Sequence, residues 1–226
     1  NETGNNDIKV VYENGTYKFI DKHYVAEIDG GAKYETLAEA IEAVAENGTV
    51  KLIDNEKFTE DNRTISSGTW YEGVYYVGDK NFTIDLNNYT VTQNGAVNDY
   101  MFLFKNAGEK DNIITLKNGT IDAGTDAYCA ICTSTTSTKQ ITINTEKINF
   151  VGKNSGGAVL KIRGGAELNV KAGTVITGND NYVGIEAYGN GTVVNINEGA
   201  EIYQNGKSSY VGSLVGASGN ATVNVY

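Results

Sequence analysis

The sequence predicts an all-β solenoid, specifically a parallel β-helix, and three observations predict it. The first is an internal repeat. An apolar–polar–apolar strand, a turn and another apolar residue recur as TIDLNNYTV from Thr83, ITLKNGTI from Ile114, ITINTEKINF from Ile141, LNVKAGTVI from Leu168 and VNINEGAEI from Val194. The leading apolar residues Ile84, Ile114, Ile141, Leu168, Val194 and Val223 are spaced by 30, 27, 27, 26 and 29 residues. The second is a further apolar segment between copies, seen near Met101, Cys129, Ala158, Val183 and Val211. The third is turn chemistry. The chain has no proline and 27 glycines, and its corners are written with Asn-Gly and Gly-Asn pairs, which suits short strands joined by tight turns.

A repeat of about 27 residues holding three short strands cannot bury its apolar face alone and must stack on its neighbours. Propeller blades need about 40 to 50 residues, and a leucine-rich frame is absent. Six to seven coils are therefore expected over residues 49–226, with Val50 in the first. Within a copy, Leu168 and Val170 point inward and Asn169 outward. The same alternation puts Val194 and Ile196 inside. Gly119, Gly173 and Gly199 mark one corner. Asn-x-Thr at Asn47, Asn118 and Asn190 reads as the same turn chemistry rather than as a glycosylation signal.

The start of the chain differs. Residues 34–48 predict a capping helix, with Thr36 as N-cap, Glu39 as its capping-box partner and Gly48 as the C-terminal cap. Leu37, Ala40, Ile41 and Val44 form its apolar stripe, suited to covering the open end of a solenoid. Residues 1–33 predict a small β element, with one hairpin around Asn14-Gly15 and a second over YVAEIDGGAKY. The chain ends inside a copy of the repeat. From this we expect either a longer multidomain chain or a second chain covering that end.

Charge and composition narrow the function. The net charge is −10, which repels polyphosphate, so a nucleic-acid partner is not expected. No run of about 18 apolar residues is present, so no membrane span is expected. The 226 residues include one His and two Arg, few for many catalytic schemes. Cys129 and Cys132 have no second pair to complete a metal site. Three apart in a strand, they are expected on opposite faces, with one thiol in the core.

The segment AEIDGGAKYETLAEAIEAVAENGTVKLIDN, Ala26 to Asn55, followed by Asn/Gly/Thr-rich strands, resembles the start of pectate-lyase-like right-handed β-helix domains. Such domains occur in large surface proteins of Gram-positive and gut bacteria. The resemblance implies an extracellular or cell-surface bacterial protein and implies no particular activity. Lyases of this fold use carboxylate-bound Ca²⁺ and a basic residue. Under that reading Lys161 and Arg163, on one face of KIRGG, are the weak catalytic candidates, with Asp122, Asp126 and Glu186 as carboxylates. Otherwise no cofactor or metal is expected. Hydrolase chemistry lacks a paired-carboxylate motif, and His23 is far from the coils in sequence.

Aromatic residues offer a second site. Trp70, Tyr71, Tyr75 and Tyr76 gather in TWYEGVYYVG, and Tyr182, Tyr188 and Tyr210 recur in the last coils. Such rings are common platforms for sugars. The sequence thus leads to a non-catalytic, stalk- or adhesin-like module facing a glycan or a host or cell-wall surface. The alternative is a carbohydrate-binding or Ca²⁺-dependent lyase-like β-helix.

Overall fold

A computed structural model describes residues 7–67, 70–154, 156–179, 183–205 and 214–226. It begins with an antiparallel hairpin, β1 (Ile8–Glu13) and β2 (Thr16–Asp21). Asn14 and Gly15 turn it with φ of 49° and 77°, the left-handed pair that a two-residue turn demands. A second hairpin, β3 (Ala26–Ile28) and β4 (Lys33–Tyr34), follows.

Helix α1 (Leu37–Ala43) starts on Thr36 with the reciprocal capping box to Glu39. It buries Leu37, Ala40 and Ile41. It is shorter than expected: Val44 takes an extended conformation and ends it. Gly48 is therefore not the helix cap. It opens the first solenoid strand instead, in space where a Cβ would lie 2.8 Å from the Val44 side chain.

The coils come next. The first holds β5 (Gly48–Leu52), β6 (Glu56–Phe58), an antiparallel insertion of β7 (Thr64–Ser67) and β8 (Trp70–Glu72), and β9 (Val74–Val77). The second holds β10 (Phe82–Asp85), β11 (Thr90–Gln93) and β12 (Tyr100–Lys105). In the third and fourth, two strands fuse across a corner, giving β13 (Asn112–Asp122) with β14 (Cys129–Thr133), and β15 (Ile141–Gly152) with β16 (Ala158–Arg163). Asn118 and Lys147, with φ of 58° and 49°, form those corners. The fifth holds β17 (Glu167–Val170), β18 (Val175–Gly178) and β19 (Val183–Tyr188), and the sixth β20 (Val193–Ile196), β21 (Glu201–Gln204) and β22 (Val215–Ser218). Strand β23 (Thr222–Val225) opens a further rung.

Equivalent strands stack in parallel on three faces. The first coil is interrupted by its hairpin, so the solenoid makes about five regular turns, slightly fewer than the six to seven expected. The N-terminal element is also more integrated than expected. Strand β3 pairs antiparallel with β5 and covers that edge of the first coil.

The core is a column of inward residues, among them Val50, Ile84, Leu116, Leu168 and Val194, all fully buried. Register departs from the repeat spacing at Ile84 and at Ile141, each two residues out of line with Ile114 and Leu168. Ile114 stacks on Phe82 and Ile143, not on Ile84 and Ile141. A slip of two residues preserves the face on which each side chain lies, so the inward residues are as expected.

Outward rows are ordered too. Thr49, Thr83, Thr115, Asn144, Asn169, Asn195 and Asn224 share one register. The last four form an amide ladder with Nδ2–Oδ1 distances of 3.0, 2.9 and 2.8 Å. Beside it Lys51, Asp85, Lys117 and Glu146 alternate in charge, which turns neighbouring rungs into favourable cross-strand pairs.

Candidate functional site

The sheet β9-β12-β14-β16-β19-β22 carries a group of titratable side chains, and a stacked irregularity puts them together. Pairing runs from Tyr100↔Cys129 to Phe102↔Ile131, and from Ala158↔Val183 to Leu160↔Ile185, skipping one residue on each strand. The skipped Met101, Ala130 and Val159 are fully buried, as are Phe102, Ile131 and Leu160 after them. A Cβ on Gly184, the equivalent position in β19, would meet the core side chains of Ile202 and Ile176. Two consecutive residues of each strand therefore face the core. This shared irregularity resets the in–out alternation, so the residue before the pair and the residue after it share the outer face.

This corrects the expectation for the cysteines. Cys129 and Cys132 are both buried free thiols, and the Cys132 thiol donates to Thr133 O at 3.3 Å. They lie on one side because two inward residues, Ala130 and Ile131, separate them. Burial pushes the Cys129 thiol pKa up, reinforced by Cys132, with Lys161 acting in the opposite sense. The Cys129 thiol is thus a packing group rather than a thiolate nucleophile.

Lys161 sits at the register of Cys132 and Glu186. Only 6% exposed, its ammonium lies 3.2 Å from Glu186 Oε2 and 4.5 Å from the centre of the Tyr128 ring. Asp99 and Glu72 bring further negative charge. Burial raises the Asp99 pKa to about 6, and the Glu72 charge adds to this. A hydrogen bond from Tyr100 and the charges of Arg163 and Lys161 pull it down. Burial also raises the Tyr100 phenol, with Cys132 and Asp99 adding and Arg163 opposing.

The corners before this sheet fix the group. Tyr128 N–H donates to Asp99 O at 2.6 Å, and a Cβ on Gly157 would lie 1.8 Å from Tyr128 O. Arg163 is held through its main chain. Its N–H donates to Thr133 Oγ1 at 2.7 Å, and the Thr133 hydroxyl donates to Arg163 O at 2.9 Å.

Lys161 thus pairs with Glu186, while the charges of Glu72, Arg163 and Lys161 all act on Asp99. Asp99 can exchange a proton near pH 6. Of the carboxylates named from sequence, only Glu186 joins this group. Asp122 pairs with Lys153 at 2.8 Å, and Asp126 lies in the turn after β13, where its main-chain carbonyl accepts from Asn154 Nδ2 at 3.4 Å. Glu72, Asp99, Tyr100 and Tyr128 were missed, because only the irregularity and the corner packing bring them to this face. Among the described residues no group of three or more His, Cys, Asp or Glu could hold a metal ion.

The aromatic candidates scatter. Trp70 is half exposed on the inserted hairpin. Tyr71 lies under Arg63, whose guanidinium is 3.6 Å from the ring centre, and Tyr75 is half-buried on the outer face. Tyr76 is a core residue packed edge-on against Phe82 at 5.0 Å, and its hydroxyl accepts from Lys80 N–H. It is therefore not part of an exposed platform. Tyr188 is about half exposed. Tyr182 and Tyr210 lie outside the described residues. His23 stands 3.5 Å from Asp54 at the N-terminal end, away from the titratable group.

The fold and the site define a parallel β-solenoid with a cluster of charged and polar groups along one sheet. Compared with known proteins, the chain matches no family model, no curated protein and no solved structure.

Proposed function

We propose that this chain is a non-catalytic interaction module, stalk- or adhesin-like, of an extracellular bacterial cell-surface protein of pectate-lyase-like type. One observation carries the reading. Lys161, the cation best placed to act as a base, is buried, paired with Glu186 and stacked on Tyr128. A proton-abstracting amine must reach its substrate, and this one is closed off between the Glu186 carboxylate at 3.2 Å and the Tyr128 ring. The ordered outward rows offer a polar face to a glycan or to a host or cell-wall surface.

The test is incubation with polygalacturonate and calcium. No unsaturated product is the expected result. Calcium-dependent release that disappears in Arg163→Ala would replace this reading with a lyase. A second reading, glycan binding, is supported by the half-exposed Trp70 and Tyr188. It predicts retention on a glycan array that Trp70→Ala abolishes.

A further inference from the structure

We propose that the groove between α1 and the free edge of β9 receives an extended basic peptide segment of a partner protein, which adds to β9 as a further strand. Strand β9 ends its six-stranded sheet. Strand β12 pairs with one edge, and among the described residues no strand pairs with the other. A cavity of about 510 Å³ follows that edge. It is lined by every residue from Val74 to Lys80, including the inward Val74 and Tyr76 and the outward Tyr75 and Val77. A space touching both sets runs along the side of a strand rather than over one face.

An unpaired edge is a template for an incoming chain. Main-chain hydrogen bonds along it give affinity, and pockets for alternate side chains give selectivity. The four residues of β9 present an edge of about 13 Å, enough for a short strand. The facing wall is helix α1, with Ala38 and Ile41 as its apolar part.

Charge selects the occupant. Glu39, Glu42 and Asp79 line the groove. Lys80, the one cation among the described lining residues, is already engaged. Its Nζ donates to the main-chain carbonyls of Glu42 at 2.9 Å and Val44 at 2.6 Å. The groove is therefore net negative and matches a segment that alternates Lys or Arg with aliphatic residues.

The probe is a blocked (Lys-Val)₄ peptide titrated into isotope-labelled protein, followed by amide resonances. Shifts confined to residues 74–80 and to α1 are expected. Glu42→Lys, at an exposed helix position, should weaken binding about fivefold, as loss of a partly exposed ion pair does. A peptide N-methylated at alternate amides keeps every charge and side chain but cannot pair with the edge, and should not bind. Equal binding of the N-methylated or of a (Glu-Val)₄ peptide would overturn the proposal. So would the absence of shifts at residues 74–77 with millimolar peptide.

Discussion

Glu56 joins the capping helix to the first coil, and its replacement by Gln should change how stability depends on pH. The side chain is 2% exposed. One carboxylate oxygen accepts from Leu37 N–H at 3.0 Å, at the start of α1, and the other from Asn62 Nδ2 at 2.7 Å. Burial raises its pKa from 4.5 to about 7. The Leu37 and Asn62 hydrogen bonds oppose the rise, and the Glu39 charge adds to it.

The sign follows from proton linkage. Between pH 4.5 and about 7 the folded state holds a proton that the unfolded chain has released. Stability from this group is therefore greatest below 4.5 and falls as pH rises to about 7. At about 1.4 kcal/mol per pH unit, the full loss is about 3 kcal/mol. Asp99, raised from 3.8 to about 6, adds a slope of the same sign at lower pH. It is present in both proteins and cancels in their difference.

Urea unfolding followed by circular dichroism, from pH 4 to 8, measures this. Gln cannot ionise. Its amide meets the Asn62 amide, so Glu56→Gln should carry a constant offset. Stability of Glu56→Gln minus that of the wild type should rise by about 3 kcal/mol between pH 4.5 and 7. Parallel profiles for the two proteins would show that the Glu56 carboxylate titrates normally and would refute the argument.

Two further substitutions test the packing. Phe102→Ala empties a fully buried position that contacts both Phe58 and Phe104, and should cost about 3–5 kcal/mol in denaturant unfolding. Gly73→Ala places a Cβ 2.0 Å from the Phe58 ring and should cost about 1–3 kcal/mol, with partial relief when Phe58 is also made Leu.

The solenoid was legible in the sequence because its signals are periodic. Turns such as Asn14-Gly15 and Asn118 are local chemistry, and the alternation Leu168-Asn169-Val170 survives a two-residue error in register. What escaped is non-periodic. The irregularity that turns Cys129 and Cys132 to one face comes from how four strands stack, and nothing in CAIC announces it. Asp99 and Tyr128 reach Lys161 through corners whose length varies between coils, so sequence register could not place them. Tyr76 looked like part of an aromatic cluster, yet strand alternation from the buried Val74 sends it inward. The early end of α1 at Val44 came from tertiary packing, where the chain must turn at once into β5 to start the first coil.

The central claim is that Lys161 acts as an internal tie rather than as a reactive base. A double-mutant cycle on Lys161 and Glu186 tests it most directly. Lys161→Met alone should cost about 2 kcal/mol, because it leaves Glu186 beside a desolvated surface without its cation. Lys161→Met with Glu186→Leu should recover about 1 kcal/mol or more of the summed single losses. Additive single effects, with Lys161→Met as stable as the wild type, would contradict the claim and return Lys161 to the set of free, potentially catalytic groups.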